Sequence, residues 1–298
     1  MYSRTQDRRT SVSTSSRQGA VPPRLRHPAE LPFYVFMVVL NIIIIWAIVQ
    51  AAIMLPYLPE RLQDSGWAVT VRSAFIGLLL FVPALIVIRE TQRASIRGTA
   101  VQLSPKQYGS LYETMDEFAR KLGLRRRPQL FLANGNGTLN AFAAQATGHD
   151  YVVLANELFV NLYENNRDGL RFILGHELGH IRLHHVSLWY QLSVAYSERI
   201  PVLGPTLSRL REYSSDRHGA HLCPSGASGL VLLASGRHTE HTTDLDELVR
   251  QGRSLRGFWV ELAQLPMSHP FTVRRLERLF KLGLFHARVR GSESETAA

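Results

Sequence analysis

Residues 176–180 read His-Glu-Leu-Gly-His, inside the run Arg171-Phe-Ile-Leu-Gly-His-Glu-Leu-Gly-His-Ile-Arg182. On a helix this spacing puts two imidazoles at i and i+4, on one face and one turn apart. His176 and His180 can then hold one zinc ion, with Glu177 beside them to take a proton from water. Such an ion lowers the pKa of a bound water to near neutrality, which makes a nucleophile available at physiological pH. A histidine-bearing amphipathic helix produces the same five letters by chance, so the motif needs support from the rest of the chain.

A catalytic zinc site takes three protein ligands and keeps one open position. The arrangement that continues through a glycine to a third histidine is closed here, because those positions are Leu183 and Val186. Further on the chain reads Ser208-Arg-Leu-Arg-Glu212-Tyr-Ser-Ser-Asp216-Arg-His-Gly-Ala220. Glu212 and Asp216 also stand at i and i+4. Glu212 can complete a His/His/Glu set, and Asp216 can accept the spare ring N–H of a ligand histidine. The competing reading pairs each carboxylate with Arg211 or Arg217 on a solvated face. His184 and His185 follow the motif helix, where an imidazole complements the helix dipole; a second metal site is the alternative. His218 and His221 read as surface or packing residues. Cys223 is the only cysteine and reads as a small buried residue without a disulfide partner.

With these pieces in place, the chain resembles the HtpX-like membrane zinc metallopeptidases, gluzincins related to the CAAX prenyl endopeptidases. The resemblance runs over residues 104–280 and rests on four segments: His176 to His180, Glu212 to Ala220, Asn140-Ala-Phe-Ala143, and Ser268-His-Pro-Phe-Thr-Val-Arg-Arg275. It implies one Zn2+ per chain on His176, His180 and Glu212, with Glu177 as general base and Asp216 behind the ligands. It also implies that His269 and Arg275 stabilise the oxyanion. Asn140, Ala141 and Phe142 would open an edge strand that pairs with an extended substrate peptide. Read from the residues alone, His269-Pro270 is equally a helix N-terminal turn and Arg275 a basic residue of a surface helix over 272–280. The Asn140 segment is equally an ordinary hairpin. Phe271 stands where the family often carries a small residue or proline.

Two elements would place this chemistry at a membrane. Residues 31–58 contain no charge, and the core 33–55 is interrupted only by Asn41 and Gln50, which exceeds the roughly 20 residues needed to cross a bilayer. A second span is expected over 67–88, with Arg72 snorkelling toward the nearer interface; a re-entrant or interfacial helix is its alternative. Arg4, Arg8, Arg9, Arg17, Arg24 and Arg26 precede the first span, Arg89, Arg93 and Arg97 follow the second, and the linker holds only Arg61. Positive charge therefore predicts that the N-terminus and the domain from residue 91 onward are cytoplasmic at the plasma membrane. Charges and prolines between 186 and 210 exclude a further span there and leave an amphipathic connector.

The chain has 298 residues and a formal charge of +10. The basic residues are nearly all arginine and are scattered, with no basic stripe interleaved with stacking aromatics, which excludes a nucleic-acid partner. The expected organisation is a disordered basic tail over 1–30, a two-helix transmembrane anchor over 31–90, a zinc metallopeptidase domain over 91–290 and a disordered tail over 291–298. Within the domain, a helix is predicted over 105–122, strands over 129–132 and 151–154, a helix over 156–163, and the motif helix from Asp168 as its N-cap. The fold class is α+β: a mostly helical zincin-type domain with a small β-sheet. The function implied is endopeptidase cleavage of unfolded or membrane polypeptides in protein quality control, by attack of water activated by zinc and Glu177. The alternative is a membrane-anchored zinc-binding adaptor or chaperone-like protein without proteolysis.

Overall fold

The computed structural model describes residues 25–285, except 237, 240 and 241. The basic tail therefore lies outside the described residues up to position 24, as does the whole of the 291–298 tail. Residues 25–29 are described, and Glu30 is the first residue of a helix.

Two apolar helices open the chain. α1 (Glu30–Met54) is followed by the short α2 (Glu60–Gln63) and by α3 (Gly66–Thr99). Both α1 and α3 are long and apolar enough to cross a membrane by length and composition. Most of their apolar side chains face outward, among them Ile42, Trp46, Leu79 and Val87. The buried residues of α1 are Glu30, Met37 and Asn41, all in its first half and on one face. α3 runs past the apolar stretch expected over 67–88 and enters the domain with Arg89. The Arg89 guanidinium donates to Gln145 O at 2.7 Å, to Gln191 Oε1 at 2.9 Å and to Val186 O. A residue that reads in the sequence as a cytoplasmic flanking charge thus clamps α3 to the domain.

The domain begins with β1 (Val101–Gln102), α4 (Gly109–Lys121), β2 (Gln129–Ala133), β3 (Ala141–Ala146) and β4 (His149–Ala155). These strands form one sheet in the order β1-β2-β4-β3, with β2 and β4 parallel and the two outer pairings antiparallel. β3 and β4 are joined through Thr147 and Gly148, both at positive φ, as a tight hairpin turn requires. β3 is thereby an edge of the sheet.

Helices make up the rest: α5 (Asn156–Asn165), α6 (Arg167–Arg182), α7 (Leu188–Ser193), α8 (Leu203–Leu222), α9 (Gly229–Ser235), α10 (Leu245–Ser254), α11 (Phe258–Gln264) and α12 (Thr272–Lys281). The described chain is thus a mostly helical α+β fold with a small mixed sheet. α6 is its central rod. Leu170, Phe172, Ile173, Leu174, Leu178 and Ile181 are all buried, and they join one core with β2, β4, α4 and α5. The N-cap of α6 is Asn166, whose Oδ1 accepts from Gly169 N at 2.9 Å. Asp168, expected in that place, lies inside the first turn and accepts from Ser225 Oγ at 2.6 Å.

The connector between α6 and α8 packs on α1. Tyr34 stacks on Tyr190 with ring centroids 4.4 Å apart, and Asn41 Oδ1 accepts from Tyr196 N at 2.8 Å. A polar interruption of the apolar run is thus used to dock the domain.

Candidate metal centre

α6 and α8 lie unusually close because glycines line their crossing. A Cβ on Gly175 would come within 3.1 Å of Gly219 Cα, and one on Gly179 within 2.9 Å of His218 Cβ and 3.1 Å of Ser215 Cα. This approach brings the Glu212–Asp216 turn of α8 against the imidazoles of α6. We expect Gly179→Ala to cost about 1–3 kcal/mol through overpacking and to weaken metal binding, since the helices must separate. A variant that melts at the wild-type temperature in the metal-free form would show that close approach does not set this pair.

His176, His180 and Glu212 converge. The two Nε2 atoms are 3.2 Å apart, His176 Nε2 is 3.5 Å from Glu212 Oε2, and His180 Nε2 is 3.4 Å from Glu212 Oε1. Ligands about 2.0–2.1 Å from a tetrahedral zinc stand about 3.3–3.4 Å from one another, so the three separations fit a zinc-sized cation. Among the described residues this is the group of His, Cys, Asp and Glu side chains close enough to hold one.

The other ring nitrogens are committed behind the cluster. His176 Nδ1 lies 3.0 Å from Asp216 Oδ1. Asp216 in turn accepts from Arg275 Nη2 at 2.6 Å and Nε at 2.9 Å. With Nδ1–H donated to Asp216, His176 turns a lone pair toward Glu212 and His180. Acceptors facing acceptors is a donor set that a cation satisfies. Without one, a proton substitutes. Burial disfavours the charged His176 ring, but the Asp216 and Glu212 carboxylates raise it to about 10. Burial likewise opposes charge on Glu212, yet hydrogen bonds from both histidines and the Arg275 charge hold its carboxyl well below the usual range. Arg275 has the same effect on buried Asp216.

Glu177 is buried and, among the described residues, makes no hydrogen bond or ion pair. It differs in this from Glu212 and Asp216, whose oxygens are all engaged. His269 stands on the rim, with an exposed side chain whose Nε2 is 3.7 Å from Glu212 Oε1. Arg275 does not share that position. It is buried, with Nη2 3.4 Å from His176 Nδ1 and Nη1 3.6 Å from Glu212 Oε2. Its place in the structure is that of a counter-charge to Asp216 and Glu212, and the surface-helix reading is corrected by its burial. Ala141 and Phe142 lie on edge strand β3, which packs on α6, and Asn140 O accepts from Ala155 N at 2.9 Å.

His185 and Glu30 stand at the site although the sequence did not mark them as part of it. His185, assigned to the helix dipole, is 3 % exposed, with Nδ1 3.0 Å from His180 Nδ1. Its Nε2 is 3.1 Å from Glu30 Oε1. Burial lowers this imidazole to about 3 despite the hydrogen bond with Glu30. The local signal was a histidine five residues beyond His180; nothing local linked it to Glu30. His218 is buried with Nδ1 2.8 Å from Ser214 O, His221 is exposed, and Cys223 is buried.

The site is thus a short-motif helix crossed by a second helix that carries a carboxylate, a donor set that could hold a metal ion. Residues 105–197 match the model of peptidase family M48. The match includes His176, Glu177 and His180, ends before Glu212, and supports an M48 family metallopeptidase. No match was found among curated proteins.

Proposed function

We propose that this chain is a membrane-anchored, HtpX-like zinc endopeptidase whose active site faces the cytoplasm. The observation that carries this reading is a His/His/Glu donor set, buried but for the half-buried His180, with zinc-sized separations beside a buried carboxylate, Glu177, that makes no hydrogen bond among the described residues. A zinc ion bound there supplies a Lewis acid and an acidified water. Glu177, which makes no hydrogen bond among the described residues, would accept a proton from water and return it to the leaving amine. His269 stands at the rim, where an imidazole N–H can meet the oxyanion. Arg275 balances the carboxylates behind the histidines. The free edge of β3 offers backbone groups to an extended peptide, so backbone pairing dominates recognition and suits unfolded or membrane-derived polypeptides, in keeping with a quality-control role. α1 and α3 anchor the domain in the membrane, and the arginines flanking them favour a cytoplasmic N-terminus and domain.

The test is metal removal from the detergent-purified chain. We expect about one zinc per chain, loss of unfolded-casein cleavage on chelation, and recovery on adding zinc back. Cleavage that persists after complete zinc removal would reject the mechanism.

A further inference from the structure

We infer that Glu30, the first residue of α1, and His185 form a positioning relay for the metal ligand His180, making the start of the apolar anchor a part of the metal centre. This rests on the zinc-site reading above.

Past the end of α6, His184 adopts a left-handed conformation with φ 63°. His184 N then bonds to Ile181 O at 3.0 Å, and His185 N to His180 O at 2.9 Å. These are the two bonds of a Schellman ending, which folds the second residue past the helix back over its last turn. In most helices an apolar contact occupies that position. Here it is the ring of His185 against the ring of His180, with centroids 5.1 Å apart.

Hydrogen-bond polarity gives the contact its chemistry. His180 presents Nε2 to His176 and Glu212, so as a ligand it must carry its proton on Nδ1. The atom 3.0 Å from that Nδ1 is His185 Nδ1, which must therefore accept. The remaining proton of His185 lies on Nε2, and there Glu30 Oε1 receives it at 3.1 Å. Glu30 thus fixes the tautomer of His185, and His185 fixes that of His180. Asp216 does the same for His176 in one step. Each ligand histidine is held from behind by a carboxylate, one from α8 and one from α1.

Glu30 is itself locked in place. It is 1 % exposed, its Oε1 lies 3.2 Å from Arg26 Nε in an ion pair, and its Oε2 accepts from Ser214 Oγ. Ser214, between Glu212 and Asp216 on α8, accepts from His27 N at 2.8 Å. The start of α1 and the residues before it therefore touch α8 at Ser214 and the turn that follows α6 at His185. A carboxylate taken out of water at such cost is retained where its partners need it.

The experiment measures the zinc affinity of the full-length, detergent-purified chain by competition with a chelator of known affinity. His185→Phe keeps a ring in the slot but offers no acceptor, and Glu30→Leu removes the carboxylate. Each should weaken zinc binding about 10–100-fold. The double variant should lose no more than His185→Phe alone, because Glu30 acts through His185. Glu30→Gln keeps an acceptor oxygen and should lose less than Glu30→Leu. Tyr34→Phe, which breaks only the 2.8 Å contact of α1 with Ser193 Oγ, should bind zinc like wild type.

Wild-type affinity in His185→Phe, or additive losses in the double variant, would overturn the relay. His185→Phe decides the matter alone if Glu30→Leu does not fold. A wild-type chain that binds no zinc, or binds it equally well as Glu212→Ala, would instead reject the underlying metal-site reading.

Discussion

Glu177→Gln should retain zinc and lose proteolysis. We expect casein cleavage to fall about 10²–10⁴-fold, the usual contribution of a positioned general base, with metal content unchanged. The separation of the two readouts follows from the geometry. The proposed metal ligands are His176, His180 and Glu212, whose donor atoms face one another, and Glu177 is not among the groups that close that triangle. Its carboxylate is buried without a hydrogen-bond partner among the described residues. An amide of the same shape therefore disturbs little in the resting protein but cannot accept a proton. Metal analysis and casein digestion on the same preparation provide the check. Cleavage at the wild-type rate would remove Glu177 from the mechanism, whereas loss of zinc together with activity would make it a ligand or a scaffold.

Glu212→Ala should lose both. The substitution deletes one of three donors and leaves two imidazole nitrogens 3.2 Å apart with no anion between them. Its effect on zinc affinity should exceed the roughly 10–100-fold typical of removing a supporting partner, and casein cleavage should disappear with the metal. Arg275 remains paired with Asp216 through two hydrogen bonds, so the variant keeps this buried ion pair and is expected to fold. Retained zinc with undiminished activity would place the third ligand elsewhere. A lost metal that high zinc restores, with activity returning, would support Glu212 as an affinity-setting ligand.

These experiments bear on residues that differ in how legible they were. The histidine pair was readable because helical periodicity alone puts i and i+4 on one face, whatever the rest of the chain does. The same rule related Glu212 to Asp216. The two long apolar helices were equally plain, since length and composition alone mark them. Helix ends were less so: Asn166, not Asp168, caps α6, because the choice depends on which side chain the preceding turn aims at Gly169 N.

What no local pattern contained is the pairing between elements. Periodicity sets the two imidazoles on one face of α6 and the two carboxylates on one face of α8, but not which faces meet. That was decided by glycines that let the helices approach within backbone contact. Arg275 reads as one more arginine on an amphipathic helix until α12 packs it against Asp216, 59 residues away in sequence. Glu30 reads as a charge at the head of an apolar helix until the turn at His184 swings His185 to it across 155 residues. Short-range geometry determined which residues could bind a metal. Only long-range packing decided which groups hold those residues in place, because a hydrogen bond between distant segments exists only where the fold brings donor and acceptor together.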